Sequence, residues 1–455
     1  MSRRRRRIEP FDLKITELEP NSCGRGEHEG QPVLVRGAPP GAVVHVRPFK
    51  KKRGTIHGRR VRLVEPPPDH VEPRCAVFGL CGGCALQELS LTAQRAAKER
   101  MVRRILAPLE GVEVHPVIGA PAAYGYRNKV ELSFGVRRYL SEEDHAAGEP
   151  IEGSFLGFHA PGRFDRVVDA ERCELVPEGL NDIIHALRVM LESSELPPWD
   201  ARAHTGFWKH AVLRETTLGE RLVAIYTNEG DALPDLMTLR LDATLSWYVN
   251  AGVADAAIGE LRSVISGDGT ITEQLGEVRY QLSATSFFQT NTPAAARLYD
   301  VIAEAAGSGP RLWDLYCGTG AIGLYLAPRF DEVVGVELDP GAVEDARANA
   351  ARNGRTVEYH CGRVEDVLPR LRGDDIVVVD PPRAGLHPKA AKWLAAAPVS
   401  SLVYIACKPG SLARDRELLE AGGWVMVALW IVDLFPQTGH VEAVARFLRP
   451  GVAES

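Results

Sequence analysis

Cys407 ends an apolar, β-prone run and is followed by Lys408, Pro409 and a helix-like pattern. An α/β enzyme presents reactive groups in this way, at the carboxyl edge of its sheet where strand turns into helix. A cysteine taken alone is more often a small buried core residue. The role of Cys407 therefore depends on which other reactive side chains the fold brings beside it.

Three carboxylates border predicted strands in the last third of the chain: Glu337, Asp380 and Glu442. Glu337 stands 23 residues after Asp314, where an acid accepts hydrogen bonds from the ribose hydroxyls of a nucleoside cofactor. Asp380 begins a rigid Asp-Pro-Pro turn. An isolated glutamate is usually just solvated, but the Phe-Pro and Gly-His turn before Glu442 favours a place at the sheet edge.

A glycine-rich turn that contains Tyr316, Gly318 and Gly320 follows the predicted strand Arg311–Leu315. Glycines at a helix start let a cofactor approach the backbone, so Gly318 and Gly320 are candidate cofactor contacts. The turn has only two glycines of a dinucleotide motif, and no phosphate-binding lysine follows. S-adenosylmethionine, a nucleoside without phosphates, fits this pattern better than a pyrophosphate ligand.

Cys75, Cys81 and Cys84 are clustered, and Cys173 is the only other cysteine in the middle of the chain. In a long cytosolic chain, clustered cysteines indicate a metal site or catalysis rather than disulfides. The glycines between Cys81 and Cys84 let the backbone fold tightly around sulfur. The spacing fits either zinc or an iron–sulfur cluster.

These residues need a scaffold, and the chain predicts an α/β protein of three parts. Alternating strands and helices from about residue 280 predict a doubly wound sheet over 281–455. Short strands between Gly/Pro turns predict a small five-stranded barrel within 1–66, OB-like and resembling the RNA-binding TRAM domain. Residues 67–280 predict a central α+β domain that carries the cysteine cluster, and its amphipathic helix 86–109 could pack on the last domain.

The net charge of −6 is unevenly distributed. Residues 1–64 hold sixteen Lys and Arg against six Asp and Glu, whereas the rest holds 38 against 54. The basic tail Arg3–Arg7, and four cations beside Phe49 in the loop Phe49–Gly54, predict a polyanion partner such as RNA. A merely solvated charged face is the alternative. No apolar run resembles a membrane span or a signal peptide, so we expect a cytoplasmic protein.

Together the motifs resemble the S-adenosylmethionine-dependent RNA uracil-5-methyltransferases, the bacterial 5-methyluridine enzymes of tRNA and 23S rRNA. The resemblance covers nearly the whole chain, including Phe287-Phe288-Gln289-Thr290-Asn291, Asp380-Pro381-Pro382-Arg383 and His440-Val441-Glu442. It implies an RNA substrate, a [4Fe–4S] cluster on the four cysteines, Cys407 as nucleophile and Glu442 as base. It also implies cofactor contacts at Gln289, Tyr316, Glu337 and Asp380. We expect a monomer without an obligate protein partner.

Two departures from that family stand out. Its usual Cys-Asn-Pro is Cys407-Lys408-Pro409 here, and we expect Lys408 and the following helix start to favour the thiolate. After the third strand the chain has Cys361-Gly362-Arg363, so no adenine contact is assigned there. The main alternative is an RNA-binding or redox-sensing protein with a non-catalytic methyltransferase fold. The Cys-x3-Cys-x2-Cys spacing of a radical S-adenosylmethionine enzyme is absent.

Overall fold

The computed structural model describes residues 8–254, 256–367 and 370–450, so the basic tail Arg3–Arg7 lies outside them. Contacts divide the chain into a first unit (Met1–Pro73, Gly83–Pro121 and Arg297–Ser455) and a second unit (Arg74–Gly82 and Ala122–Ala296). This division differs from the predicted boundaries, because 83–121 joins the C-terminal residues and the last boundary falls near 296 rather than 280. Within the described ranges, every helix is too short or too polar to cross a membrane.

The first unit begins with a six-stranded sheet, where the sequence predicted five strands. Its strands are β1 (Phe11–Lys14), β2 (Glu17–Leu18), β3 (Cys23–His28), β4 (Gln31–Arg36), β5 (Val43–Lys52) and β6 (Thr55–Glu65). They are hydrogen-bonded in the order β1-β5-β6-β4-β3-β2. Alternate side chains such as Val33, Val35, Val44 and Val46 point inward and are fully buried, as the two-residue period of a strand requires.

The next elements of the first unit are α1 (Leu91–Leu106), β7 (Glu113–Val114) and β8 (Ile118–Gly119). The Ser90 hydroxyl caps α1 by accepting the N–H of Ala93 at 3.3 Å. The apolar stripe of α1, which includes Met101 and Val102, is buried in the same core as the C-terminal sheet. The structure thus has a helix with bounds inside the predicted 86–109, and its apolar stripe packs on the C-terminal residues.

The second unit contains a seven-stranded sheet of order β11-β10-β9-β12-β13-β14-β15, a hairpin of β16 and β17, and a core packed under α3. Its elements are β9 (Lys129–Arg137), α2 (Glu142–Ala146), β10 (Glu152–His159), β11 (Val167–Asp169), α3 (Glu178–Ser193), β12 (Trp208–Glu215), β13 (Arg221–Thr227), α4 (Leu233–Leu236), β14 (Thr244–Val249), β15 (Glu260–Ser266), β16 (Ile271–Leu275) and β17 (Val278–Leu282). The second unit therefore combines helices with a mostly antiparallel sheet.

The C-terminal part of the first unit alternates strands with helices, as predicted. Its elements are α5 (Thr292–Ala306), which contains the boundary between the units, β18 (Gly309–Leu315), α6 (Ala321–Leu326), the 3₁₀ turn Ala327–Arg329, β19 (Phe330–Glu337), α7 (Pro340–Arg352), β20 (Glu358–Cys361), α8 (Val364–Val367), β21 (Asp375–Val379), α9 (Pro388–Ala396), β22 (Ser401–Ala406), α10 (Pro409–Ala421), β23 (Val425–Asp433) and β24 (Glu442–Leu448).

The C-terminal sheet runs in the order β20-β19-β18-β21-β22-β24-β23-β7, and β8 also pairs with β23. The first five strands are parallel, and most of their apolar residues are buried; every residue of β22 is buried. The last strand, β24, enters antiparallel between β22 and β23. This insertion determines where Glu442 lies.

Candidate active site

Parallel strands bring several of the candidate residues to one edge of the C-terminal sheet. β18 leads into Tyr316, β19 ends in Glu337, β21 is followed by Asp380 and β22 by Cys407. The strand ends lie side by side, because residue 315 pairs with 336 and 379, and 379 pairs with 404. The carboxyl edge is where open α/β sheets bind ligands.

Cys407 and Glu442 face each other across two antiparallel strands. Ala406 of β22 pairs with Ala443 of β24, which places the adjoining residues 407 and 442 opposite one another. Glu442 is 6% exposed, and burial, followed by the charge of Asp380, raises its pKa well above the ordinary value. Burial also raises the pKa of the Cys407 thiol, and the charges of Glu442 and Asp380 raise it further.

Arg383 supplies the positive charge beside these acids. It hydrogen-bonds the Cys407 sulfur and lowers the thiol pKa, which partly opposes burial, and its charge also lowers the pKa of Glu442. The sequence predicts this role for Lys408, but Lys408 is exposed at the start of α10. Arg383 is the cation that the structure sets beside the thiol, and its signal in the sequence was its place in Asp-Pro-Pro-Arg.

The loop after Asp-Pro-Pro is fixed to α10 by a buried carboxylate. Asp415 is 1% exposed, and its Oδ2 accepts the N–H of Leu386 at 2.7 Å and the hydroxyl of Tyr404 at 2.6 Å. Arg414 donates to the carbonyl of Ala384 at 2.6 Å. These bonds hold the loop and the end of β22 in one arrangement. Sequence reasoning did not identify Asp415.

Asp314 leaves an unsatisfied oxygen at the end of β18. One carboxylate oxygen accepts the N–H of Gly323 at 2.8 Å, whereas the other is buried without a hydrogen-bond partner among the described residues. Burial raises the Asp314 pKa to about 7, and the charges of Asp380 and Glu337 contribute. A buried acceptor of this kind is expected to bind a donor group when a ligand is present.

The glycine turn and Glu337 leave room for a ligand beside that oxygen. A side chain added at Gly318, whose φ is +53°, would meet nothing within 4 Å, so the space above it is open. The Glu337 carboxylate is oriented by the backbone N–H groups of Gly318, Leu338 and Asp339, at 3.0, 2.6 and 3.0 Å. A positioned acid, an open backbone and an unsatisfied oxygen fit the nucleoside cofactor that the sequence predicts.

The remaining residues predicted to contact the cofactor include Gly320, Tyr316 and Gln289. Gly320 has φ +77°, and an added Cβ would lie 2.3 Å from the Tyr359 hydroxyl, so only glycine fits there. Tyr316 has an uncommon φ of +63° and is half-buried. Gln289 belongs to the second unit, where its carbonyl accepts from Asn128 Nδ2 at 2.9 Å. Its contact with the cofactor stays a prediction.

The four cysteines of the predicted cluster are all half-buried. Cys75, Cys81 and Cys173 belong to the second unit and Cys84 to the first. Burial raises the pKa of Cys75, and the nearby Cys173 raises it further, so these two thiols lie close together. Within the described part of the chain, no three His, Cys, Asp or Glu side chains are arranged to hold a metal ion.

The predicted RNA contact of the first sheet lies at the tip of the β5–β6 hairpin. The two-residue turn Arg53-Gly54 has φ values of +48° and +82°, as a tight hairpin turn requires. The hairpin presents four consecutive exposed cations, residues 50–53, beside Phe49, which is 68% exposed. Cations and an exposed aromatic ring are suited to phosphate and base contacts.

Comparison with known proteins defines the class. A family model described as a methyltransferase domain matches residues 313–397, the region that contains the open glycine turn, Glu337 and Asp380. The sheet, its edge and this match define a class I, S-adenosylmethionine-dependent methyltransferase. A second model, tRNA (Uracil-5-)-methyltransferase, matches residues 358–449, which include Cys407 and Glu442.

Whole-chain relatives define the family. An uncharacterized RNA methyltransferase of Chlorobaculum tepidum is 40% identical over 98% of both chains. The tRNA (uracil(54)-C(5))-methyltransferase of Pyrococcus horikoshii is 36% identical over 91% of this chain and 95% of its own. The crystal structure of Pyrococcus abyssi tRNA (uracil-54, C5)-methyltransferase in complex with S-adenosyl-L-homocysteine matches with a TM-score of 0.78 and 28% identity, over 96% of this chain and all of its own. The chain belongs to the tRNA (uracil-5-)-methyltransferase family and is an S-adenosylmethionine-dependent RNA uracil-C5 methyltransferase, as the resemblance implied.

Proposed function

We propose that the enzyme methylates C5 of a uridine in structured RNA, a tRNA or 23S rRNA, through a covalent bond between Cys407 and C6 of the uracil. The observation that carries the proposal is the register of β22 and β24, which sets Cys407 opposite Glu442 at the ligand-binding edge. The buried carboxylate suits a general base, because its raised pKa makes it a better proton acceptor.

The chemistry accounts for both residue types. Uracil C5 is a poor nucleophile, but addition of the Cys407 thiolate at C6 makes C5 enolate-like and able to take the methyl group that S-adenosylmethionine supplies. Glu442 then removes the C5 proton, the electron pair restores the C5–C6 double bond, and the C6–S bond breaks to return the thiolate. Arg383 stabilises the thiolate before addition and after release.

Cofactor binding is assigned to the open edge between β18, β19 and β21. Glu337 would accept the ribose hydroxyls, and the unsatisfied oxygen of Asp314 is available to a donor group of the cofactor. Tyr316, Gly318, Gly320, Asp380 and Gln289 complete the proposed contacts. The neighbouring charges of Asp314, Glu337 and Asp380 suit a cofactor that carries positive charge.

RNA docking is assigned to the hairpin of residues 49–54 in the TRAM-like sheet. The target uridine has to leave its base stack to reach a thiol that is half-buried at the sheet edge. The two Pyrococcus relatives are named for uracil 54 of tRNA. Mass mapping of 5-methyluridine in tRNA and 23S rRNA, from cells with and without the gene, would identify the target RNA.

The experiment that tests the mechanism uses RNA that carries 5-fluorouridine. This substrate has no removable C5 proton, so the wild-type enzyme should remain bound to it in an adduct that survives denaturation. Cys407→Ala should form no adduct and no 5-methyluridine, whereas Glu442→Gln should trap an adduct on ordinary RNA. Adduct formation by Cys407→Ala would refute the role of the thiol, and full turnover by Glu442→Gln would refute that of the base.

The [4Fe–4S] cluster on Cys75, Cys81, Cys84 and Cys173 is a separate proposal, supported by the cysteine spacing and the proximity of Cys75 and Cys173. Protein purified without oxygen should show broad visible absorption and bound iron, and Cys75→Ser should lose both. Iron-free protein with full activity would refute the cluster and leave the methylation mechanism intact.

S-adenosylmethionine binding without turnover would instead favour the alternative of an RNA-binding or redox-sensing protein with a non-catalytic methyltransferase fold.

A further inference from the structure

The segment 434–441 joins β23 to β24 and ends directly before Glu442. At its centre, Gln437 is 2% exposed and has a φ of +69°. Left-handed backbone is unfavourable for a residue with a side chain, and it persists where the surroundings determine it. The structure therefore needs specific partners to hold this conformation, and they come from distant parts of the sequence.

The partner of Gln437 is Gln94 on α1. The Gln94 amide nitrogen donates to the Gln437 side-chain oxygen at 2.9 Å, and the Gln437 backbone N–H donates to the Gln94 side-chain oxygen at 2.8 Å. Gln94 is 0% exposed. The Gln437 carbonyl accepts the N–H groups of Ala85 and Leu86 at 2.8 and 3.0 Å. Gln437 is thus held through its side chain, its N–H and its carbonyl.

Three further contacts fix the ends of the segment. Lys98 and Asp433 have completely buried side chains and form an ion pair at 2.5 Å, and Lys98 also donates to the carbonyl of Phe435 at 3.1 Å. Near the other end, the hydroxyl of Ser22, which lies between β2 and β3, accepts the N–H of Gly439 at 2.9 Å. A side chain at Gly439 would lie 2.7 Å from that hydroxyl, so the approach requires glycine.

We propose that Gln94 and Gln437 are positioning residues for Glu442, and that their bonds set its carboxylate where it can take the C5 proton of the covalent intermediate. The proposal rests on the mechanism proposed above. Cys407 is placed by β22 and by the loop fixed through Asp415, which do not depend on Gln94. Loss of the Gln94 bonds should therefore slow proton removal and product release more than thiolate addition and methyl transfer.

The test compares Gln94→Met, which keeps the volume and loses the hydrogen bonds, with the wild-type enzyme. Single-turnover reactions with ordinary RNA and methyl-labelled S-adenosylmethionine measure methyl entry into the protein–RNA adduct and release of 5-methyluridine separately. We expect release to slow about tenfold or more, because small misplacements of a catalytic group are costly, and methyl entry to change less than about threefold. Methylated adduct should accumulate.

A matched control is Thr227→Val in the second unit, which also replaces a buried hydrogen-bonding side chain with an isosteric apolar one. It should leave the ratio of release to methyl entry unchanged. Equal slowing of both steps by Gln94→Met, or unchanged release, would overturn the proposal. If Gln94→Met does not fold, Gln437→Met decides, because it loses the side-chain bond to Gln94 and keeps the backbone bonds. It should slow release about two- to threefold without slowing methyl entry, and unchanged release would overturn the proposal.

Failure of the underlying mechanism looks different from failure of this proposal. If the wild-type enzyme forms no adduct with 5-fluorouridine RNA, the covalent mechanism is wrong and the positioning role falls with it. If the wild-type adduct forms and Gln94→Met releases product at the normal rate, only the positioning role is refuted.

Discussion

Arg383→Gln removes the positive charge that hydrogen-bonds the Cys407 sulfur, and the thiol pKa should rise. Hydrogen bonds to charged groups contribute about 1.5–3 kcal/mol, and the lower value applies because Arg383 is exposed to water. Since one pKa unit corresponds to about 1.4 kcal/mol, the thiol pKa should rise by about one unit. At a pH below the thiol pKa, the thiolate fraction and the rate of addition should then fall about tenfold.

The assay is the rate of adduct formation with 5-fluorouridine RNA as a function of pH, because this step does not require the base Glu442. The variant should approach the wild-type rate as the pH rises, since both thiols become ionised. Arg383→Lys keeps a charge and should lie between the two. A pH profile of Arg383→Gln that superimposes on that of the wild type would refute the electrostatic role. A uniform loss at every pH would indicate substrate positioning instead.

Three further predictions concern the cofactor edge and α1. Burial raises the Asp314 pKa to about 7 from 3.8, so the ionised carboxylate destabilises the folded protein. Asp314→Asn should therefore raise the free energy of unfolding increasingly between pH 4 and 7, by up to about 4 kcal/mol. The same variant should bind S-adenosylmethionine more weakly. Thermal melts at pH 5 and 8 with binding calorimetry test this, and a pH-independent difference would contradict it. Gly318→Ala should still fold, because the left-handed backbone destabilises it by only about 1–2 kcal/mol, but its affinity for the cofactor should fall at least about tenfold. Unchanged affinity in calorimetry would show that the cofactor does not occupy the space above Gly318. Lys98→Met leaves Asp433 buried and unpaired and should cost about 3–5 kcal/mol in denaturant unfolding, most of which Lys98→Met/Asp433→Leu should recover. Equal losses of unfolding free energy in the single and double variants would show that the loss comes from packing and not from the unpaired charge of Asp433.

Periodicity and motif order were sufficient to predict the C-terminal sheet and its edge. A parallel strand buried on both faces is a continuous apolar run, and the residue that ends it must lie at the carboxyl edge. Glu337, Asp380 and Cys407 were found for that reason. The prediction for Lys408 failed because adjacency in sequence does not determine side-chain direction: the chain turns into α10, and Arg383 on the neighbouring loop contacts the thiol instead.

Long-range polar contacts carry no sequence signal of this kind. Gln94 lies on a helix whose stripe predicts only burial, and nothing near Gln437 indicates a partner 343 positions away. The N-terminal sheet has six strands where five were predicted, because Leu13 to Leu18 is one β-prone piece in the sequence but belongs to β1 and to the two-residue strand β2 in the structure. The compact units also cross the predicted boundaries, since the segment 83–121 joins the C-terminal sheet through contacts that are distant in sequence.

The central position of β24 has a consequence for the order of biosynthesis. During translation β22 and β23 emerge first. Neither strand can pair with β24, which lies between them in the sheet, until residues 442–448 have left the ribosome. Until then both strands expose unpaired backbone edges, which favour association with other chains. Stop codons or proteolytic cuts before residue 442 would therefore remove the base and leave an aggregation-prone sheet.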